Sequence, residues 1–127
     1  MDNVQITLSA GEWQIMERLW DHSPRTLMEL VHALAPDTGW SKSTIVTMVG
    51  RLEAKGAVTY SGRSPRRYVP TIPREQAALQ ETESLLRRVY RGSVGLMVST
   101  LADGRGLTAD DIDELSAILE KAKEAQL

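Results

Sequence analysis

Cysteine and phenylalanine are both missing from the 127 residues of this chain. Without cysteine there can be no disulfide, no thiol nucleophile and no metal bound through thiolates. No run of about 18 apolar residues occurs, so we predict no membrane-spanning helix and no membrane insertion. Residues 1–12 lack a basic region followed by an apolar run. We therefore expect no signal peptide and a cytoplasmic protein.

Catalytic groups and metal ligands are scarce as well. His22 and His32 belong to different predicted elements and do not have metal-ligand spacing. The acidic residues within 110–114 lack the spacing and the glycine of a calcium loop, and they are typical of the first turn of a helix. No glycine-rich phosphate loop and no activated nucleophile is present. We predict no enzyme, no catalytic site, no metal site and no cofactor.

What is present is an ordinary globular composition with an uneven charge distribution. Hydrophobic residues make up 42% and charged residues 25% of the chain, and the net charge is −2. Residues 42–67 contain six basic residues and one acidic residue, whereas residues 74–127 contain seven basic and ten acidic residues. The local field governs how a surface meets phosphate, so the basic segment can bind a polyanion despite the negative total.

The first part of the chain is predicted to form three short amphipathic helices. Capping boxes at Ser9–Glu12 and Thr26–Glu29 predict the starts of the first two, and Ser41 or Ser43 can cap the third. Proline or glycine is expected to end the helices, at Ser23-Pro24, Ala35-Pro36 and Gly56. Because such helices cannot bury an apolar stripe alone, they must pack on one another.

A hairpin is predicted directly after these helices. Residues 57–60 and 66–70 are expected to form strands around a turn at 61–65 that contains glycine, proline and arginine. Three helices followed by a basic hairpin are the outline of a winged helix-turn-helix. We therefore predict a mainly α (α+β) fold, with a winged helix-turn-helix DNA-binding domain in residues 1–72.

Residues 73–127 are predicted to form a helical dimerisation domain. A helix is expected at 74–91, a joint at Gly92 and Gly95, a turn at 103–106, and a last helix capped by Thr108. The segment has much aliphatic surface and no pattern of a globular core. An apolar surface of this extent is expected to be buried against a partner, and an identical chain is the simplest partner. The predicted dimer contacts are Leu85, Leu86, Val89, Tyr90, Val94, Met97, Leu101, Ile112, Leu115 and Leu119.

Short hydroxyl residues and an arginine share one stripe of the third predicted helix, opposite its apolar face. The major groove of B-DNA admits a helix, and hydroxyl groups, a threonine methyl and a guanidinium can each meet base edges there. Arginines in the hairpin suit phosphates or a narrow minor groove and add salt-dependent affinity. The predicted DNA contacts are Ser41, Lys42, Ser43, Thr44, Thr47, Arg51, Arg63, Arg66 and Arg67. A solvated polar face and a winged-helix protein–protein interaction module are the alternatives.

Several stretches together resemble a known family. They are Leu8–Met16 with Leu19-Trp20, Trp40–Thr47 with Arg51-Leu52 and Lys55-Gly56, Val89–Gly92, and Leu107–Leu115. Over nearly its whole length the chain resembles the penicillinase-repressor family (BlaI/MecI/CopY). The resemblance implies a dimeric transcriptional repressor with an amino-terminal winged helix, a helical dimerisation arm and a palindromic double-stranded DNA operator as its partner.

The resemblance also implies where this chain departs from its relatives. Members that respond to β-lactams are cleaved at an Asn-Phe bond in the arm by a membrane sensor protease encoded elsewhere. Thr100-Leu101 stands at the corresponding place, so the hydrophobic setting is kept and the scissile pair is not. Copper-responsive members carry paired cysteines, which this chain lacks. Val46 occupies a position of the recognition helix that is often basic, which implies a different operator preference.

Overall fold

The computed structural model describes residues 5–127 and divides them into two compact units. One unit ends at Glu83 and the other comprises Ser84–Leu127. The elements in chain order are α1 (Ala10–Asp21), β1 (Arg25–Thr26), α2 (Leu27–Thr38), α3 (Lys42–Ala54), β2 (Val58–Ser61), β3 (Arg67–Pro70), α4 (Arg74–Tyr90), α5 (Val94–Gly104) and α6 (Ala109–Ala125). The mainly helical fold with a winged helix is confirmed. The division into functional domains after residue 72 stays a prediction.

The predicted helix starts are confirmed because each depends on local hydrogen bonds. Ser9, Thr26 and Thr108 form complete capping boxes, in which the cap side chain and the side chain three residues later each accept a backbone N–H. Ser41, rather than Ser43, caps α3 by accepting from the N–H of Thr44.

The predicted end of α2 at Ala35-Pro36 is wrong. The helix continues through Pro36 to Thr38 and ends at Gly39, whose backbone is left-handed (φ +72°) and whose N–H donates to the carbonyl of Ala35. Pro36 has no N–H to donate to the carbonyl four residues earlier, but the Thr38 hydroxyl donates to the carbonyl of Leu34 at 2.8 Å and holds the last turn. An ion pair of 2.5 Å between Asp37 and Arg18 of α1 also holds that turn.

Gly56 ends helix α3, as predicted from the sequence. The N–H of Gly56 (φ +79°) donates to Glu53 and the N–H of Ala57 donates to Leu52. This pair of bonds is a Schellman motif, and it requires a left-handed residue at Gly56. The motif turns the chain directly from the helix into β2.

The predicted hairpin is confirmed, and the sheet contains one further strand. The order is β1-β3-β2 with antiparallel pairing throughout, and Tyr60 lies opposite Tyr68. The two-residue strand β1 was not predicted, because it is too short to show an alternating pattern. At the hairpin tip Gly62 has φ +80°, and a Cβ there would lie 3.0 Å from the carbonyl oxygen of Pro65.

The core of the first unit joins the three helices to the sheet. Gly11 lets α1 approach α3 closely, since a Cβ at this position would lie 2.9 Å from Sδ of Met48 and 3.6 Å from the Trp40 ring. The buried apolar residues are Leu8, Ile15, Met16, Leu19, Leu30, Leu34, Ile45, Met48, Val49, Leu52, Ala57, Val58, Tyr68, Ile72 and Ala77.

Helix α1 is also tied to the segment that follows the wing. Trp20 donates its indole N–H to the carbonyl of Ile72 at 2.8 Å. Arg74 donates two hydrogen bonds of 2.9 Å to the carboxylate of Glu17. The wing is therefore fixed at its base by contacts of α1.

The second unit has a different character. No side chain in Ser84–Leu127 is buried. Gly95 lies inside α5 rather than in the joint, which is confined to the residues between Tyr90 and the cap at Ser93, and Asp103 and Gly104 likewise belong to α5. No helix among residues 5–127 is both long enough and apolar enough to cross a membrane.

Candidate nucleic-acid interface

Helix α3 presents a wide outward face of short side chains. Its buried positions are Ile45, Met48, Val49 and Leu52, which follow helical spacing on the inner side. The predicted contact residues Lys42, Ser43, Thr44, Thr47 and Arg51 are all exposed, as is the cap Ser41. The structure therefore brings together the predicted contacts of this helix on the side that faces away from the core.

The hydroxyl groups at the start of α3 are partly engaged with one another. Oγ of Ser41 lies 3.1 Å from Oγ of Ser43 and 3.1 Å from Oγ1 of Thr44, and it accepts the Thr44 N–H at 3.2 Å. Ser41 thus has a structural role as the cap of the helix. Its position at the positive end of the helix dipole also favours a nearby anion.

Farther along the face the polar groups are unengaged. In the part of the chain that the structure describes, the side chains of Thr47 and Arg51 have no hydrogen-bond or ion-pair partner. They line a shallow open concavity of about 340 Å³ together with Ser43, Thr44 and Met48. Their donors and acceptors are free to meet an external partner.

The wing arginines differ in how they are held. The guanidinium of Arg66 stacks over the Tyr60 ring at 4.2 Å. A hydrogen bond to the Tyr68 side chain, followed by electrostatic attraction to the Tyr60 hydroxyl group, raises the pKa of Arg66 above its usual value. The hydrogen bond from the Thr26 N–H is the main cause of the lowered pKa of the Glu29 carboxyl, and the nearby charge of Arg67 lowers it a little further. Arg63 is exposed at the tip beside Gly62 and Arg66.

The ammonium group of Lys55 is engaged within the protein, although Lys55 is one of the basic residues of segment 42–67. Its ammonium group donates to Glu12 at 2.5 Å and to the carbonyl of Thr7 at 2.7 Å. Burial of Glu12 opposes its ionisation, but the hydrogen bonds from Lys55 and Ser9 outweigh that effect and lower the pKa of Glu12. The pair joins Lys55, the cap residue at the end of α3, to the first turn of α1, so it fixes α3 rather than adding free charge.

Two further residues of α3 were not among the predicted contacts. Val46 is 42% exposed on the outward side, although a valine in a helix pattern suggests burial. Gly50 is also exposed, and no atom lies within 4 Å of a Cβ placed on it. Helical spacing alone could have found both, since Val46 lies three residues after Ser43 and Gly50 lies three residues after Thr47.

Metal-binding geometry is not found within residues 5–127, where no three His, Asp or Glu side chains lie close enough to hold an ion. His22 and His32 are both exposed.

Comparison with known proteins agrees with this geometry. The model of the family described as penicillinase repressor matches residues 8–121. The chain belongs to the penicillinase repressor family. Among related sequences, the penicillinase repressor of Bacillus licheniformis is 33% identical over 118 residues, which are 91% of each chain. The methicillin resistance regulatory protein MecI of Staphylococcus aureus (strain N315) is 25% identical over 122 residues, or 95% of this chain and 99% of MecI.

A solved structure of a relative in the penicillinase repressor family contains DNA. It is the Bacillus licheniformis BlaI monomeric form in complex with the blaP half-operator, 30% identical to this chain with a TM-score of 0.51. The likeness covers 60% of this chain and 93% of the BlaI chain.

The predicted dimer residues of this family member carry much exposed apolar surface. Leu101 and Leu85 are 40% and 37% exposed, and Leu86, Tyr90, Met97 and Leu115 are partly buried. The largest exposed fractions belong to Leu119, Val94, Ile112 and Val89, at 63%, 58%, 50% and 48%. Leu96 and Ile118 are similarly exposed and were not predicted.

Thr100 and Leu101, the predicted counterparts of the cleaved pair, lie inside α5. The hydroxyl of Thr100 donates to the carbonyl of Leu96 at 2.8 Å. Both residues are exposed on their helix.

Proposed function

We propose that this protein is a cytoplasmic transcriptional repressor that binds a palindromic operator as a dimer. The observation that carries the proposal is the outward face of α3, where Thr47 and Arg51 are exposed and unpartnered beside a basic wing. Family membership and the half-operator complex of the BlaI relative support the same conclusion. Bound at a promoter, the protein would block transcription.

Within the interface, the two elements have different tasks. Helix α3 enters the major groove, where Ser43, Thr44, Thr47 and Arg51 contact base edges and Lys42 contacts phosphate. Arg63 and Arg67 of the wing contact the phosphate backbone and set the orientation of the helix. Arg66 is stacked on Tyr60, so it both stiffens the wing and presents a charge at its surface.

The arm formed from α4, α5 and α6 holds a second copy of the protein in the dimer. Its exposed apolar residues, including Val94, Ile112 and Leu119, are covered when two arms pair. Pairing gives the second recognition helix a high effective concentration at the second half-site. A signal that weakens or cuts the arm would release the operator, and a membrane sensor protease acting near Thr100-Leu101 is one such signal.

The test is the affinity for fluorescent duplex DNA at several salt concentrations, measured by anisotropy. The probe is the tightest duplex that the protein selects from a random pool. We expect tight binding whose logarithm falls linearly with the logarithm of salt concentration. Replacing Arg63 and Arg67 together by Gln should weaken binding to all sequences and reduce the slope by about two, since each phosphate contact contributes roughly one.

Arg87→Gln is the matched control, because Arg87 is an exposed arginine of α4 outside the proposed interface. It should leave the affinity and the slope unchanged. Failure to bind any duplex in dilute buffer would contradict the proposal and favour a winged-helix module that binds protein.

A further inference from the structure

Val46 lies on the outward half of α3, on the opposite flank from Arg51. Successive residues of a helix are about 100° apart, which places Ser43, Thr47 and Gly50 along the midline of the outward face. By the same spacing, Thr44 and Arg51 lie on one side of this midline and Val46 on the other. The outward face thus has a hydrogen-bonding flank and an apolar flank.

The surroundings of Val46 leave its methyl groups open to a partner. Its side chain is 42% exposed. Its neighbours on the midline are short, and Gly50 has no side chain and no atom within 4 Å of the place where a Cβ would stand. A base edge can therefore approach Val46 without meeting a longer side chain from the midline.

The chemistry of the major groove restricts what Val46 can contact favourably. Valine has no donor or acceptor, so contact with an adenine amino group or a guanine carbonyl would displace water without replacing its hydrogen bond. Thymine alone presents a methyl group in this groove. Contact between that methyl and Val46 removes apolar surface of both groups from water.

We propose that Val46 recognises the 5-methyl group of one thymine in each operator half-site, with Gly50 leaving room for the base. This inference rests on the proposed function and adds a specificity-determining residue to it. Thr47 and Arg51 select bases through hydrogen bonds, whereas Val46 selects thymine through apolar contact. A polar or charged residue at this position would select a different base.

The experiment replaces each thymine of the selected duplex by uracil, one at a time. Uracil keeps the base pair and removes only the methyl group. When uracil replaces one particular thymine of a half-site, we expect the affinity of the wild-type protein for the duplex to fall about fourfold. This is the effect of one buried methyl group. Val46→Ala should bind the original duplex more weakly and lose most of this distinction between thymine and uracil. A double-mutant cycle on the four affinities isolates the contact.

Two comparison variants make the assignment specific. Val46→Thr keeps the shape of the side chain and exchanges one methyl for a hydroxyl, so it should reduce the preference for thymine while the circular dichroism spectrum stays unchanged. Thr47→Ser removes the threonine methyl group at the midline of this face, and it should keep the fourfold ratio of thymine to uracil affinity at the base assigned to Val46.

The inference would be overturned if no uracil substitution weakened binding, or if Val46→Ala retained the full ratio of thymine to uracil affinity. Loss of that ratio in Thr47→Ser alone would overturn it too, because the methyl would then be read by Thr47. Failure of the wild type to select any duplex is a different result, which contradicts the proposed function itself.

Discussion

Replacing Lys55 by Met should destabilise the first unit strongly, because it leaves a buried carboxylate without its counter-ion. Glu12 is 2% exposed and accepts a 2.5 Å hydrogen bond from Lys55. Methionine keeps the apolar stem of lysine and a good helix propensity, so the change removes mainly the charge. After the substitution, the Ser9 N–H at 2.8 Å remains as a partner of the carboxylate.

The expected loss can be bounded from the burial of the two side chains. Breaking a fully buried ion pair costs about 3–5 kcal/mol. Here the Lys55 side chain is 37% exposed and the Ser9 hydrogen bond survives. We therefore expect Lys55→Met to lower the free energy of unfolding by about 2 kcal/mol. Glu12→Gln keeps an acceptor for Ser9 and leaves Lys55 its hydrogen bond to the carbonyl of Thr7, so its cost should be about 1 kcal/mol.

The assay is urea unfolding followed by tryptophan fluorescence. All three tryptophans, Trp13, Trp20 and Trp40, belong to the first unit, so the signal reports on the winged helix. The slope of free energy against urea should be unchanged, because the same surface is exposed on unfolding. Adding Glu12→Gln to Lys55→Met should recover part of the loss, since the buried charge is then absent.

Asp37→Asn is the matched control. The Arg18–Asp37 pair is also 2.5 Å long, but its side chains are 35% and 66% exposed. Such a pair contributes less than about 1 kcal/mol. If Lys55→Met cost no more than Asp37→Asn, the reasoning from burial would be refuted.

Two further predictions follow from the same structure. Because the pKa of Glu12 is lowered from 4.5, its contribution to stability is present above that pH and is lost as the pH falls through the lower folded value. The stability difference between wild type and Glu12→Gln should therefore shrink below about pH 4.5 in urea unfolding, and a constant difference would contradict this. Leu119→Glu, at a side chain 63% exposed, should convert the proposed dimer into monomer in sedimentation velocity. Met28→Glu, at a methionine 42% exposed in α2, should not; dissociation by both or by neither would count against the arm as the dimer contact.

Local hydrogen bonds made much of the fold predictable from sequence. The capping boxes at Ser9 and Thr26 involve residues three apart, and Gly56 is required by the geometry of a helix end. The end of α2 could not be predicted in this way. Its last turn is supported by the Thr38 hydroxyl bond to Leu34 and by the ion pair between Asp37 and Arg18 of another helix, and the second contact is invisible in the local pattern.

The arrangement of the candidate contact residues on one face of α3 was predictable, whereas their contacts with the rest of the protein were not, and their contact with DNA stays a prediction. Spacing placed Thr47 and Arg51 on one face, because helical periodicity fixes which residues lie together. The engagement of Lys55 by Glu12 joins residues 43 positions apart. The stacking of Arg66 on Tyr60 depends on the hairpin geometry. Counting charges along the sequence therefore overstates the number of basic groups that are free to bind phosphate.

The central claim is that the outward face of α3 reads base edges, and the most direct test is the specificity of Thr47→Ala. The measurement is the ratio of affinities for the selected duplex and a shuffled duplex of the same composition. We expect Thr47→Ala to reduce this ratio severalfold while nearly preserving affinity for the shuffled duplex. Thr82→Ala, at an exposed threonine of α4, should leave the ratio unchanged. An equal loss of affinity for both duplexes in Thr47→Ala would contradict the claim.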